Sequence, residues 1–257
     1  EGWDKGWTQL LEMMGNAAAV TDRSFAVPDG VNNGQYGVGI VIDFFGLAGK
    51  YSGFPVDFVY PSMTSVVPAN IALIAGGKNP DEAKKFMAFS MSTEGQQLLF
   101  DPKISRLPIL PYSQLKAPAG YPDPQEVAKR AKVQFDANLS EARYQVVTSL
   151  FDQMVTFRLK ELQGATKAIR DAEKALKAKP YARGRDLVKQ ARALAYTPLV
   201  GAQNVKNEQF LELFRKSRRD VEVSKQLSGQ EQLWANKARE NYARAQQLAT
   251  EARGLAK

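Results

Sequence analysis

Residues 140–179 contain no proline and no turn cluster, only a lone Gly164. That uninterrupted stretch limits the fold more than any other feature of the chain. Val146, Leu150, Met154 and Phe157 recur at helical spacing, and Val147, Phe151, Val155, Leu159 and Leu162 form a second stripe beside them. An apolar face that broad needs more than one neighbour, which predicts a long helix within a bundle or packed on a larger body. Pro122 and Pro124 open this helical region, residues 136–139 read as a break, and the run from Pro180 to Gly184 ends it. Segments 186–196, 208–227 and 229–257 read as further helices.

The first 118 residues are patterned differently. Trp3, Trp7, Leu10, Leu11 and Met14 give an opening helix, and a turn-rich stretch follows from Val27 to Gly34. Segments 39–42, 55–61 and 66–74 are short, apolar or alternating, and bounded by glycine or proline, which predicts strands. Asn79 and Pro80 start a helix, and Ser92 starts another. Strands separated by helices imply an α/β layer, so the expected division is an α/β domain over 1–118 and a helical extension over 119–257. Charge changes at the same place: residues 1–118 hold 9 Lys+Arg against 11 Asp+Glu, and the remainder holds 26 against 16.

The chain has neither cysteine nor histidine. Disulfides, Cys/His zinc sites, Ser-His-Asp and Cys-His nucleophiles and imidazole acid–base catalysis are thereby excluded, which favours a binding protein over an enzyme. No cofactor and no metal site is read from the sequence. No apolar run approaches the roughly 20 residues of a spanning helix. The chain opens at Glu1 directly in a helical pattern, so a preceding segment carrying any signal peptide is expected.

The ordered series Phe58-Val59-Tyr60-Pro61, then Val67 to Ile74, then Gly77-Lys78-Asn79-Pro80-Asp81-Glu82-Ala83-Lys84-Lys85-Phe86, then Ser92-Thr93-Glu94-Gly95-Gln96-Gln97 resembles the type 2 periplasmic solute-binding proteins of the ferric-iron ABC-transporter group. With Ser105-Arg106-Leu107-Pro108-Ile109 and the tail from Phe135 to Phe157, the chain looks closest to a branch that regulates phosphoglycerate transport. The resemblance implies a partial two-lobe type 2 periplasmic-binding-protein α/β fold (the second lobe and a return to the first), followed by an all-α C-terminal extension. It also implies a periplasmic location, ligand capture between lobes without chemistry, and a membrane transporter or sensor kinase as partner. Iron-binding members use an adjacent Tyr-Tyr pair, whose phenolates suit a hard cation. Here that segment reads Ile42-Asp43-Phe44-Phe45, so the expected ligand is a small phosphorylated or carboxylated organic anion, phosphoglycerate-like.

Candidate ligand residues follow from donor chemistry. Arg23 and Ser24 supply a cation and a hydroxyl, suited to phosphate or carboxylate, against a surface arginine beside a capping serine. Asp43 either accepts ligand hydroxyls or caps the helix at Gly46. Tyr60, Ser62 and Thr64 follow a strand end as hydroxyl donors, or serve loop geometry. The basic tail reads as solvated helix faces or a docking surface. Nucleic-acid binding is not expected, because acids interleave the bases without stacking aromatics. The alternatives to anion capture are a ferric-iron transport protein and a helical scaffold that has kept a vestigial lobe.

Overall fold

The structure, a computed structural model, describes residues 2–61, 64–131, 133–216 and 218–256. Its elements are α1 (Trp3–Met14), α2 (Ala26–Asn32), α3 (Asp43–Tyr51), α4 (Pro80–Ser90), α5 (Thr93–Gln97), α6 (Pro124–Arg130), α7 (Ala137–Met154), α8 (Leu159–Ala178), α9 (Ala182–Tyr196), α10 (Glu208–Arg215) and α11 (Val221–Leu255). The chain divides into two compact units, Thr21–Asp136 and a helical unit of Glu1–Val20 with Ala137–Lys257.

The helical unit is organised by α11. Trp234, Ala238, Tyr242, Ala245, Ala249 and Ala252 are buried along one stripe, and the small residues let α8 and α9 approach closely. From α8 come Leu162, Ala165, Ile169 and Leu176, and from α9 Leu187, Val188, Ala191 and Tyr196. Phe214 of α10 stacks on Trp234 with centroids 5.4 Å apart. The Tyr242 hydroxyl donates to the Met154 carbonyl at 2.8 Å, satisfying an acceptor in the last turn of α7. Burial pushes that phenol's pKa far up, so it stays a donor. Although α1 lies far from these helices in sequence, it packs among them. Trp7 and Leu11 are buried in their core, and the Trp3 indole N–H donates to the Val200 carbonyl at 2.6 Å.

The expected long helix over 140–179 is instead two helices. Val155, with φ −120° and ψ −66°, and a 3-10 turn over Thr156–Arg158 separate α7 from α8. The first apolar stripe lies on α7 and the turn, the second runs from α7 through Val155 into α8, and both helices meet α11. The expected break at Ser228, between helices 208–227 and 229–257, is also absent, and α11 runs through it. It starts instead at Asp220, whose carboxylate accepts from the Glu222 and Val223 amides at 2.9 and 3.0 Å. One exposed helical glycine costs only about 1 kcal/mol, which the packing of the long stripe outweighs.

The larger correction concerns fold class. No strand is present among the described residues, so the expected α/β two-lobe fold is absent. A strand needs a neighbour's ladder to satisfy its N–H and C=O groups, and segments 39–42, 55–61 and 66–74 find none. They keep the apolar residues that suggested strands, but Val67 is 60% and Ile74 80% exposed. The Thr21–Asp136 unit is held by short helices around Leu47, Phe100, Leu115 and Tyr121. The Phe100 ring meets Tyr112 and Tyr121 edge-on at 5.5 and 5.0 Å. The Ser92–Gln97 segment knits this unit together. Ser92 accepts from the Gly95 amide at 3.1 Å, and Gln96 bridges the Ser90 carbonyl and Ile109 amide at 2.7 and 2.8 Å. Gly95 is required, since a Cβ there would lie 2.1 Å from the Phe89 carbonyl oxygen.

Candidate ligand-binding site

A cavity of about 900 Å3 opens in the Thr21–Asp136 unit. Its walls are apolar, with Ile40, Ile42, Phe58, Val66 and Leu107 among them, and its polar groups are few. Apolar walls with a few convergent polar groups are the usual make-up of a small-molecule site.

Asp43 is the first residue of α3 and lines the cavity. One carboxylate oxygen accepts from the Phe44 amide at 2.8 Å, and the other accepts from the Tyr60 hydroxyl at 2.9 Å. Burial, and then the Asp43 charge, push the Tyr60 phenol far above its usual range, so it remains a donor. The Tyr60 ring meets Phe58 edge-on at 4.9 Å. Phe58 in turn lies on Gly46, where a Cβ would come within 2.1 Å of its ring. The bare backbone at Gly46 lets the segment bearing Tyr60 approach α3.

Arg106 adjoins the cluster: it does not line the cavity, but its neighbour Leu107 does. The Arg106 guanidinium lies 3.2 Å from the centroid of the Phe44 ring and donates to the Ile104 carbonyl at 3.0 Å. Burial lowers its pKa and the Asp43 carboxylate opposes that shift, so the two charges sense each other. Its carbonyl accepts from Tyr121 at 3.3 Å, and burial pushes that phenol up to about 12. The preceding residue, Ser105, is fully buried and holds a left-handed φ of 49°. Its side chain donates to the Pro102 carbonyl at 2.9 Å. A non-glycine residue in that conformation carries strain that the surroundings must hold.

The expected site residues separate into three groups. Asp43, Tyr60 and Thr64 come together at the cavity. Arg23 and Ser24 are exposed and do not line it, and Arg23 lies 5.9 Å over the Phe25 ring. Ser62 lies outside the described residues. Arg106 was not singled out as a ligand residue, because only the fold brings it to Phe44. Among the described residues, no group of three or more metal-binding side chains is placed to hold an ion.

Over 178 residues, 69% of its length, the chain is 32% identical to the phosphoglycerate transport regulatory protein PgtC of Salmonella typhimurium, and equally to that of Salmonella typhi. The chain is similar to a transport regulator. It spans 43% of the length of these PgtC proteins. No family model matches it, and no solved structure does. The similarity to PgtC is thus one of sequence, and it does not extend to a two-lobe binding fold, which the described residues do not form. No helix among the described residues is long and apolar enough to cross a membrane.

Proposed function

We propose that the chain is a regulatory module for transport of a small phosphorylated or carboxylated organic anion of the phosphoglycerate kind. It captures that anion at the Thr21–Asp136 cavity and acts on a membrane transporter or sensor from an extracytoplasmic position. The similarity to PgtC supports the transport-regulatory part of this reading. The observation that carries the ligand is the Asp43–Tyr60 pair on apolar walls, with Arg106, off the lining itself, over the ring of the adjacent Phe44 and next in sequence to the lining residue Leu107. Arg106 would take the phosphate or carboxylate, because a guanidinium matches two oxygens of such a group at once. Asp43 would accept from a ligand hydroxyl. Of the two carboxylates on the lining, Asp57 is already neutralised by Lys50 at 2.6 Å, while Asp43 keeps its charge, accepts from the neutral Tyr60 hydroxyl and faces the opposite charge of Arg106. The module captures without transforming, since nothing here requires more than hydrogen bonds and charge.

Calorimetry with 3-phosphoglycerate, glucose 6-phosphate and Fe(III) tests this. Binding of phosphoglycerate is expected, with Arg106→Ala weakening it about tenfold or more, since a charge-assisted pair contributes ~1.5–3 kcal/mol. Arg106→Lys should lose less, and Arg23→Ala should leave affinity within about twofold. Heat with Fe(III) alone, or unchanged affinity in Arg106→Ala, would overturn the assignment.

A further inference from the structure

The chain's excess positive charge is not spread evenly. The Thr21–Asp136 unit holds 11 basic and 11 acidic residues, and the helical unit holds 24 basic and 16 acidic. Part of that excess is gathered in a groove of about 850 Å3 between α8 and the Gly15–Ala17 segment that follows α1. Lys167, Arg170, Lys174 and Lys177 recur along α8 at steps of three and four residues, so they share one face and all line the groove.

The groove is built rather than incidental. The Gln163 side chain donates to the Ala17 carbonyl at 2.7 Å, and Arg170 donates to the Asn16 side chain. Its two acids are already engaged within the unit. Asp171 is held by Lys167 at 2.8 Å and Arg253 at 3.7 Å, and Glu173 by Arg192 at 3.0 Å. Arg170 bonds to the uncharged Asn16 side chain rather than to an acid. Lys174 and Lys177 have no ion-pair partner among the described residues.

We propose that this groove is a docking site for an acidic, extended segment of a protein partner. Helical steps of three and four residues rise about 4.5–6 Å. Alternate residues of an extended peptide are about 6.6 Å apart, so acids at alternate positions meet successive cations of α8. The lining also argues against two other polyanions. It carries no aromatic ring on which nucleic-acid bases could stack. Ala17 is its only apolar side chain, which leaves nothing to insert into a lipid surface. The site is separate from the ligand cavity and does not depend on what that cavity binds.

The test uses the whole chain and a fluorescent peptide in which Glu alternates with Ser. Phosphatidylglycerol vesicles and a thymidine oligonucleotide are titrated in parallel. Lys174→Glu with Lys177→Glu is expected to weaken peptide binding about tenfold or more, and added salt should weaken it further. Lys174→Arg with Lys177→Arg should keep it. Lys206→Glu with Lys225→Glu makes the same change in net charge outside the groove and should cost less than about threefold. Equal losses in the two charge-reversed pairs would reduce the effect to bulk charge and overturn the groove. Tighter binding of vesicles or oligonucleotide, lost with the groove pair, would overturn the peptide in favour of that partner.

Discussion

Tyr242→Ala is expected to lower the unfolding free energy of the helical unit by about 3–5 kcal/mol, the range for removing a large buried ring. Tyr242 is 1% exposed and lies where α11 packs against α7, α8 and α9. Its removal opens a cavity at that junction and strips the Met154 carbonyl of its donor. Tyr242→Phe separates the two effects. It keeps the ring and should cost only ~1–2 kcal/mol, the penalty for a buried carbonyl left unpaired. Denaturant unfolding followed by helical circular dichroism reads both. Equal and small losses would mean that α11 does not bury this face.

Gly15→Ala should cost about 2–3 kcal/mol by overpacking, although in a right-handed helical conformation alanine is otherwise preferred to glycine. Gly15 has an ordinary helical φ of −63°, so the backbone is no obstacle. The obstacle is Thr166, whose Oγ1 would lie 2.0 Å and Cβ 2.9 Å from the new Cβ. Thr166 is 2% exposed and accepts from the Tyr196 hydroxyl at 3.2 Å, so it is poorly placed to yield. Combining Gly15→Ala with Thr166→Ala should lose less than the sum of the single changes, because the second removes the clashing oxygen. A neutral or stabilised Gly15→Ala would show that α1 does not seat on α8.

Much of the helical architecture was legible in local patterns. The Trp3–Met14 helix followed from its three- and four-residue apolar steps, α4 from Asn79-Pro80, and α5 from Ser92. The turn between α7 and α8 was not legible, because Val155-Thr156-Phe157-Arg158 holds neither glycine nor proline and tertiary packing on α11 sets it. The packing of α1 with helices more than a hundred residues away depends on Trp3–Val200 and Gly15–Thr166, which no local signal carries. The strand readings failed for a different reason. Apolar content and bounding prolines make a segment suitable for a sheet, but a ladder also needs a partner, and 66–74 has none among the described residues.

The candidate site was legible in part. Asp43 stood out as a lone carboxylate between an apolar run and two phenylalanines, and Tyr60 as a hydroxyl at the end of an alternating segment. Their mutual hydrogen bond needed Gly46 to admit Phe58, a contact that sequence spacing does not reveal. Arg23 attracted attention for its neighbour Ser24, yet it is exposed off the cavity lining, and the cation that interacts with the Asp43 charge is Arg106, over the adjacent Phe44 ring.

The most direct test of the account is a map of backbone-amide chemical shifts across a titration of the whole chain with 3-phosphoglycerate. Saturable shifts gathered at 43–46, 58–60, 64–67 and 105–107, lost in Arg106→Ala, are the predicted result. Shifts confined to the helical unit, or none that saturate, would contradict it.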